Sequence, residues 1–434
     1  MNAARTTRHA DERADLLAVD AEHLWHPWSP TRVNPEVVLA VAGQGCDVWD
    51  ADGRRFLDAK SSGLNATLGY GCHEIVEAVS AQLAHLMTYD MGEGANVPAI
   101  RLAQRIAELA APRLSRTFFC NSGSEAVEAA IRIARFHHAV LGDRDRTLIV
   151  SLPNAYHGAT MAAAACGAGS SPVAARVTPA DFVTVDGFDP TVAGGGVDAL
   201  RDLLTEQGHR IAAVLIEPVQ ARGAHVVPDD YLRAARELCD RNGVLLVLDE
   251  VTTGFGRTGR MFGYQHAGIE PDVVCTSKGL AAGYMSIGAV TTTESVFEVF
   301  DRNRTLAGFV HGHTHSGHAS ACAAGLAVLD YLAAHDVLAN VRARGEQLLT
   351  GLAELRSLPS VSVVRGRGLL AAVEFDTPRR AGQVRRLMKD RGVLVRRTGP
   401  NIVVAPPLII NADQVDRITS GLVAAAGAAR PDPH

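Results

Sequence analysis

Two residues within thirty positions of each other, Asp249 and Lys278, are of types that can act together on one ligand. Asp249 ends an apolar run at residues 245–248 that predicts a buried strand, and Lys278 follows a second short strand predicted at 273–275. Ligands of open α/β sheets bind at the carboxyl ends of the strands. We therefore expect these strands to deliver a carboxylate and an amine to a ligand that needs both.

Lys278 stands out because it is one of only three lysines among 42 Lys and Arg residues. This sequence uses arginine wherever a plain positive charge is enough, and Lys278 is the single charged residue between positions 273 and 293. Unlike arginine, a desolvated lysine can lose its proton and become a nucleophile. The alternative is a lysine whose apolar stem lies along a strand end while its amine reaches water.

Length, composition and charge indicate the class of protein. A chain of 434 residues predicts two domains, and 47% hydrophobic residues are typical of a soluble globular protein. A net charge of −5 gives no electrostatic reason to expect nucleic acid or an anionic membrane, and no apolar run is long enough to span one. The N-terminus lacks the apolar segment of a secretory signal. Seven scattered cysteines without a CxxC pair predict reduced thiols in a cytoplasmic enzyme.

Strand and helix patterns alternate from residue 147 to residue 248, which predicts a mainly parallel sheet covered by helices. Residues 37–59 predict a β-hairpin with its turn at Asp52-Gly53, and residues 361–426 an α+β end of the chain. We expect that end and the hairpin to build a smaller domain together. The polar residues 1–20 predict no ordered element.

A small turn at residues 121–124 opens an amphipathic helix. Free backbone N–H groups and the positive end of the helix dipole make such a turn suitable for a phosphate. A serine at this position is also common for structural reasons alone.

Two further segments invite a functional interpretation. The sequence HLWHPW at 23–28 contains two of the three tryptophans, which must be buried against the core, a partner subunit or a ligand pocket. Residues 311–318 contain four histidines, but no cysteine or carboxylate in that run completes a coordination shell. We therefore expect no metal and a polar loop near the ligand.

The motifs NSGSEAVEAAIRIAR, AYHGAT, LIEPVQ, LDEVTTGFGRTG, SKG and HGHTHSGHASACAA occur in this order. Residues 22–425 thereby resemble the class III aminotransferases, pyridoxal-phosphate enzymes with the aspartate-aminotransferase fold. The resemblance implies fold type I, an α/β fold whose large domain has a mainly parallel seven-stranded sheet, with a smaller α+β domain from the two termini. The expected bounds are 1–74 for the N-terminal arm and hairpin, 75–325 for the large cofactor-binding domain and 326–434 for the rest of the small domain.

The resemblance assigns the catalytic roles to the two residues singled out above. Lys278 would hold pyridoxal phosphate as a Schiff base and then move the proton between the substrate Cα and the cofactor C4′. Asp249 would pair with the pyridinium nitrogen and keep it protonated, so that the ring withdraws electrons.

Further contacts with the cofactor are implied around this pair. They are Gly123 and Ser124 at the phosphate, Tyr156 and Val251 on the two ring faces, Gln220 at the phenolic oxygen, His157 and Glu217 close to the ring, and Thr314 at the phosphate across a subunit interface. Thr314 acting across an interface implies an obligate homodimer with shared active sites. No metal is implied.

The substrate side would be lined by Trp28, Gly63, Tyr156 and Arg396. Arg396 matches an arginine that binds a substrate carboxylate in several family members, although a surface arginine on an edge strand is the alternative. The closest pattern is that of the diaminopelargonate aminotransferases, which have a tyrosine in place of Trp28 and a tryptophan pair near Gly63. These departures predict a pocket for a different substrate. Arg257, in the GFGRTG motif, is expected to be structural.

The implied function is the transfer of an amino group from an amine or amino acid to a ketone, aldehyde or keto acid. It would follow a ping-pong mechanism through pyridoxamine phosphate, in a broad ω-aminotransferase or in an enzyme of a specialised biosynthetic pathway. The same lysine and aspartate would also serve an aminomutase, racemase or decarboxylase. A non-catalytic α/β binding protein is the remaining alternative.

Overall fold

The computed structural model describes residues 3–28, 37–167, 181–188, 193–303 and 308–430. The helices there are α1 (Ala3–His23), α2 (Ser61–Leu64), α3 (His73–His85), α4 (Val97–Leu109), α5 (Gly123–Leu141), α6 (Met161–Ala165), α7 (Asp198–Gln207), α8 (Asp229–Asn242), α9 (Glu294–Asp301), α10 (Ala319–Ala334), α11 (Val337–Ala353), α12 (Pro378–Asp390) and α13 (Ala412–Ala428). No single described helix is long and apolar enough to cross a membrane; α10 and the segment Val337–Ser357 reach that length only together, across a 69° bend.

The strands are β1 (Ala40–Gln44), β2 (Asp47–Asp50), β3 (Arg55–Asp58), β4 (Leu114–Cys120), β5 (Leu148–Ser151), β6 (Phe182–Thr184), β7 (Ile211–Ile216), β8 (Val219–Gln220), β9 (His225–Val226), β10 (Leu245–Asp249), β11 (Val273–Thr276), β12 (Gly288–Thr293), β13 (Val361–Arg367), β14 (Leu370–Phe375), β15 (Val393–Leu394), β16 (Arg396–Thr398) and β17 (Asn401–Val404). The largest sheet has seven of them, in the order β4-β12-β11-β10-β7-β5-β6. From β11 to β6 all neighbours are parallel, and β12 is antiparallel to both β11 and β4. The predicted mainly parallel seven-stranded sheet is confirmed.

The central strands of this sheet are apolar because both faces are covered. Every residue of β7 and β10 is buried. Leu246 and Leu248 belong to one apolar cluster together with residues of α8, whereas Leu245 and Val247 belong to another with residues of α5. Because successive strand residues point to opposite faces, continuous apolar strands require helices on both sides.

Two four-stranded sheets make up the part of the fold built from the chain ends, in the orders β1-β2-β3-β15 and β13-β14-β17-β16. β3 and β15 pair in parallel, which joins the N-terminal and C-terminal segments as the α+β prediction requires.

The buried side chain of Arg257 connects the loop after β10 to this region. Its Nη1 donates to the carbonyl oxygens of Leu369 at 3.0 Å and Pro406 at 2.6 Å. The domain bounds at residues 74 and 325 stay a prediction.

Three elements differ from the sequence-based expectation. The prediction of no ordered element in residues 1–20 is wrong, because α1 forms there. Its described side chains make polar contacts, such as Arg13 Nε at 3.4 Å from Asp52 Oδ2, which apolar periodicity does not reveal. The Asp52-Gly53 turn joins β2 and β3 as predicted, but β1 adds a third strand to the hairpin. β12 was not predicted at all, and half of its residues are threonines.

Replacing Arg257 tests whether this buried side chain holds the two parts of the fold together. Arg257→Ala leaves two buried carbonyl oxygens without their donor, so we expect the free energy of unfolding to fall by roughly 3 kcal/mol in urea titrations followed by circular dichroism. The exposed Arg260 provides the control, since Arg260→Ala should cost less than about 0.5 kcal/mol. Equal losses in the two variants would contradict a bridging role.

Candidate active site

The predicted catalytic and ring-contacting residues follow four neighbouring parallel strands. Lys278 follows β11, Asp249 ends β10, Glu217 and Gln220 follow β7, and Tyr156 and His157 follow β5. These strands are adjacent in the order β11-β10-β7-β5. Because they run parallel, their carboxyl ends lie at one edge of the sheet, and the loops that carry these residues meet there.

Asp249 is fixed by hydrogen bonds on both carboxylate oxygens. His157 Nδ1 donates to Asp249 Oδ2 at 2.7 Å, and the Val251 N–H donates to Oδ1 at 3.0 Å. Burial lowers the pKa of His157, but the hydrogen bond and charge of Asp249 outweigh it, and the net pKa is raised. His157 Nε2 is buried and has no hydrogen-bond partner among the described residues. His157 thus holds the Asp249 carboxylate in place.

The Lys278 amine is held in surroundings that favour its neutral form. Its Nζ donates to Thr252 Oγ1 at 2.7 Å. Burial lowers the pKa of Lys278 to about 8; the charges of Asp249 and Glu217 oppose this shift, and those of Arg396 and Arg257 add to it. An amine that loses its proton near neutral pH can act both as a nucleophile and as a base.

The turn before α5 has the geometry of an anion cradle. Ser122 precedes the helix and its Oγ accepts the Glu125 N–H at 3.2 Å, whereas the N–H groups of Gly123 and Ser124 have no acceptor in the described chain. A Cβ on residue 123 would lie 2.7 Å from Val251 Cγ1, so only glycine allows this approach. Free N–H groups at a helix start suit a phosphate.

The loop after β5 is tied both to this turn and to β7. Ser124 Oγ accepts the Ala159 N–H at 3.1 Å. Glu217 accepts the N–H groups of Tyr156 at 2.8 Å and Ala221 at 3.0 Å. Burial raises the pKa of Glu217 to about 7, with the charge of His157 lowering it.

Gln220 lies in the same group of loops and donates its Nε2 to the Pro153 carbonyl at 2.7 Å. Its hydrogen bond, like those of Glu217, fixes the course of the chain around Tyr156. Both side chains are buried.

Three of the four predicted substrate residues meet at one ring. The Trp28 ring contacts the Tyr156 ring edge-on, with centroids 5.8 Å apart and planes at 73°. The charge of Arg396 lowers the pKa of Tyr156, although burial gives a net rise. Gly63 lies in a kinked turn whose Ser61 Oγ donates to the Ala405 carbonyl at 2.7 Å. A Cβ on Gly63 would meet only Asn65 within 4 Å, so space is open there.

Thr314 is exposed in a loop that contacts the start of α5. His313 Nε2 in this loop lies 3.8 Å from Glu125 Oε2, and His311 stacks on the Phe118 ring at 5.6 Å. Histidines 311, 313, 315 and 318 do not form part of any metal-binding group in the described part of the chain. The contact of Thr314 with a phosphate across an interface stays a prediction.

Sequence reasoning missed two residues of this site. Thr252 receives the Lys278 hydrogen bond, and Arg222 places its Cζ 5.9 Å from the Tyr156 ring centroid. Thr252 is three positions after Asp249, and Arg222 is two positions after Gln220. Their closeness in sequence to predicted residues was the available signal.

Three clefts of about 760, 480 and 430 Å³ elsewhere in the fold are lined by none of the predicted site residues.

Comparisons with known proteins identify the family. The profile of the family Aminotransferase class-III matches residues 29–426. The adenosylmethionine-8-amino-7-oxononanoate aminotransferase of Nitratidesulfovibrio vulgaris is 35% identical, over 94% of this chain and 81% of that protein. The taurine–pyruvate aminotransferase of Rhodobacter capsulatus is 36% identical, over 95% and 97%. An amine transaminase from an uncultivated Pseudomonas species, solved with PLP bound, has a TM-score of 0.88 at 32% identity, over 94% and 99%.

The chain therefore belongs to the class III aminotransferases, as the motifs predicted. It is an enzyme of fold type I, and its cofactor is pyridoxal phosphate. The residues present suit that cofactor, since a buried amine with a lowered pKa, a fixed carboxylate and a glycine turn with free N–H groups lie among the same loops. The family favours amino transfer over the aminomutase, racemase and decarboxylase alternatives.

The lowered pKa of Lys278 predicts an unusual pH dependence of its reactivity. Acylation of the cofactor-free protein, followed by peptide mass spectrometry, should label Lys278 at a rate that rises with pH and reaches half its maximum at about 8. At pH 8 an ordinary lysine is neutral in fewer than about 1% of molecules.

The same protein in denaturant provides the control, because exposure to water restores the ordinary pKa near 10.5. The midpoint should then move up by about 2.5 pH units. An unchanged midpoint on unfolding would show that burial does not set the reactivity of this amine.

Proposed function

We propose that this enzyme transfers an amino group from a small amine or amino acid to a small carbonyl compound, with Lys278 and Asp249 as its catalytic residues. The observation that carries the proposal is the pair of buried groups at neighbouring strand ends, an amine with a pKa of about 8 and a carboxylate fixed on both oxygens. Pyridoxal phosphate, when bound, supplies a carbonyl carbon for the amino group and an electron-withdrawing ring.

Each catalytic side chain has a task that follows from its surroundings. The Asp249 carboxylate would hold the proton on the ring nitrogen of the cofactor, and His157 keeps that carboxylate in place. Lys278 Nζ takes the proton from the substrate Cα and returns it, which an amine titrating near pH 8 does with little loss of free energy. Thr252 Oγ1 positions this amine through its hydrogen bond.

The binding groups surround that pair. The N–H groups of Gly123 and Ser124 at the start of α5 would bind the phosphate. Tyr156 and Val251 would enclose the ring, and Gln220 would bind its phenolic oxygen. Glu217 fixes the loop that carries Tyr156. Donor and acceptor use the same site in turn, so the donor's carbonyl product leaves before the acceptor binds. The two relatives named above act on different compounds by their names. We infer that the acceptor of this enzyme is a small keto acid, ketone or aldehyde.

The functional unit that we propose is a homodimer in the cytoplasm, with Thr314 completing the phosphate site across the interface. Two exposed apolar side chains near this loop support a second subunit. Val310 is 72% exposed, and Met87, 60% exposed, accepts the Ser320 N–H through its carbonyl. The seven cysteines are free, which supports a reducing compartment.

Removing the Lys278 amine tests the proposed function directly. With pyridoxal phosphate present, Lys278→Ala should lose the visible absorption band of the enzyme, and amino transfer should fall by at least about a thousandfold, because both the attachment point and the base are gone. Lys389→Ala, which removes another of the three lysines, should keep the band and the activity. A Lys278→Ala enzyme that still transfers amino groups at the normal rate would overturn the assignment.

Mixed dimers test whether Thr314 acts across the interface. Thr314→Asp places a negative charge against the phosphate, so we expect it to impair cofactor binding. A mixed dimer of one Lys278→Ala subunit and one Thr314→Asp subunit then retains one intact site and about half of the normal activity. Because random exchange makes about half of all dimers mixed, an equimolar mixture of the two variants should regain about a quarter of the normal activity. If Thr314 serves its own subunit instead, mixing restores nothing.

A further inference from the structure

Two guanidinium groups beside Tyr156 lack a partner that neutralises them. Arg222 lies in the turn between β8 and β9, and its Cζ is 5.9 Å from the Tyr156 ring centroid. Arg396 begins β16, and both side chains are partly buried. Neither guanidinium has a hydrogen-bond or ion-pair partner among the described residues. Arg365, which lies close to the same turn, shows the usual arrangement, with Glu374 at 2.6 Å and the Gly223 carbonyl at 2.8 Å.

The two charges act on each other and on the tyrosine. Burial lowers the pKa of Arg396, the charge of Tyr156 opposes this shift, and the charge of Arg222 adds to it. Both arginines also lower the pKa of Tyr156 against the effect of burial. Like charges that act on each other in half-buried surroundings repel each other unless an anion lies between or beside them.

Among the residues that the structure describes, the carboxylates of the site already have other partners. Asp249 accepts from His157 and the Val251 N–H, and Glu217 accepts from two backbone N–H groups. Glu374 accepts from Arg365, which also donates to the Asn401 amide oxygen. The surroundings of Tyr156 are therefore cationic, and the Trp28 side chain, 78% exposed, contacts the tyrosine ring.

We propose that Arg222 is a specificity-determining residue which, together with Arg396, selects substrates carrying two carboxylates, that is, amino dicarboxylic acids and the corresponding keto acids. This inference rests on the proposed function of the same site. Each guanidinium presents a planar fork of donors that matches one carboxylate. Two such forks favour a dianion and disfavour neutral amines, because an uncharged group leaves both cations unpaired. Arg222 touches the substrate at a position away from the reacting nitrogen.

The first test measures binding without turnover. Calorimetric titration of the holoenzyme with glutarate and with pentanoate compares a dicarboxylate with a monocarboxylate of equal chain length. We expect glutarate to bind at least tenfold more tightly, and Arg222→Gln to remove most of that difference. Arg222→Lys, which keeps the charge but not the fork, should retain part of it. The neighbouring Arg397→Gln, an exposed residue bound to the Pro378 carbonyl, is the matched control and should change neither affinity.

The second test compares turnover of matched amino donors. The pairs glutamate and glutamine, and aspartate and asparagine, differ only in the distal group. We expect kcat/KM to favour the acid in at least one pair by tenfold or more, mainly through KM. Arg222→Gln should reduce this preference, and Arg397→Gln should leave it unchanged.

The outcomes separate the two proposals. If neutral amines transfer their amino groups as fast as the acids, and glutarate binds no better than pentanoate, the inference about Arg222 fails while the aminotransferase function stands. If no donor reacts although the Lys278 absorption band forms, the proposed function fails, and the glutarate titration still decides whether Arg222 and Arg396 bind a dianion. Loss of glutarate binding in Arg397→Gln but not in Arg222→Gln would also overturn the inference.

Discussion

The hydrogen bond from His157 to Asp249 joins the ends of two strands that are not neighbours in the sheet. β7 lies between β5 and β10, and Glu217 from its end accepts the Tyr156 N–H of the loop after β5. Three strand ends are thereby cross-linked by buried polar groups, whose hydrogen bonds are stronger where water is excluded. The lysine, the tyrosine and the phosphate turn can hold fixed positions around a planar cofactor only because this edge is tied together.

The same burial that strengthens these bonds sets the acid–base properties of the site. It raises the pKa of Glu217 to about 7 and lowers the pKa of Lys278 to about 8, so both groups are shifted towards their neutral forms near physiological pH. Opposite charges counteract part of each shift: His157 for Glu217, and Asp249 for Lys278. A desolvated sheet edge whose ionisable groups are shifted towards their neutral forms suits a reaction that moves a proton between a substrate carbon and an amine.

Much of the fold and the site could be predicted because buried parallel strands leave apolar runs that end in polar residues. Leu245 to Asp249 is such a run, and it located the aspartate correctly. The sequence could not reveal α1, whose described side chains make polar contacts, or β12, whose threonines obscure the pattern. It also could not reveal Arg222, because the direction of a side chain in a tight turn depends on backbone angles such as the left-handed φ of 50° at Ala224. The assigned cofactor contacts and the role of Thr314 remain predictions.

The proposed substrate end of the site draws on three distant parts of the chain that meet at Tyr156. Trp28 comes from the N-terminal region, Arg222 from the turn after β8 and Arg396 from the C-terminal sheet. Tyr156 belongs to the loop that also carries His157, so the positions of these groups relative to Asp249 are set by one short segment. Holding two partly buried guanidiniums close together without a carboxylate opposes folding, since each loses solvation and repels the other. An anion bound to both groups would offset that cost, and this is the reason for assigning the unpaired charge to substrate binding in our proposal.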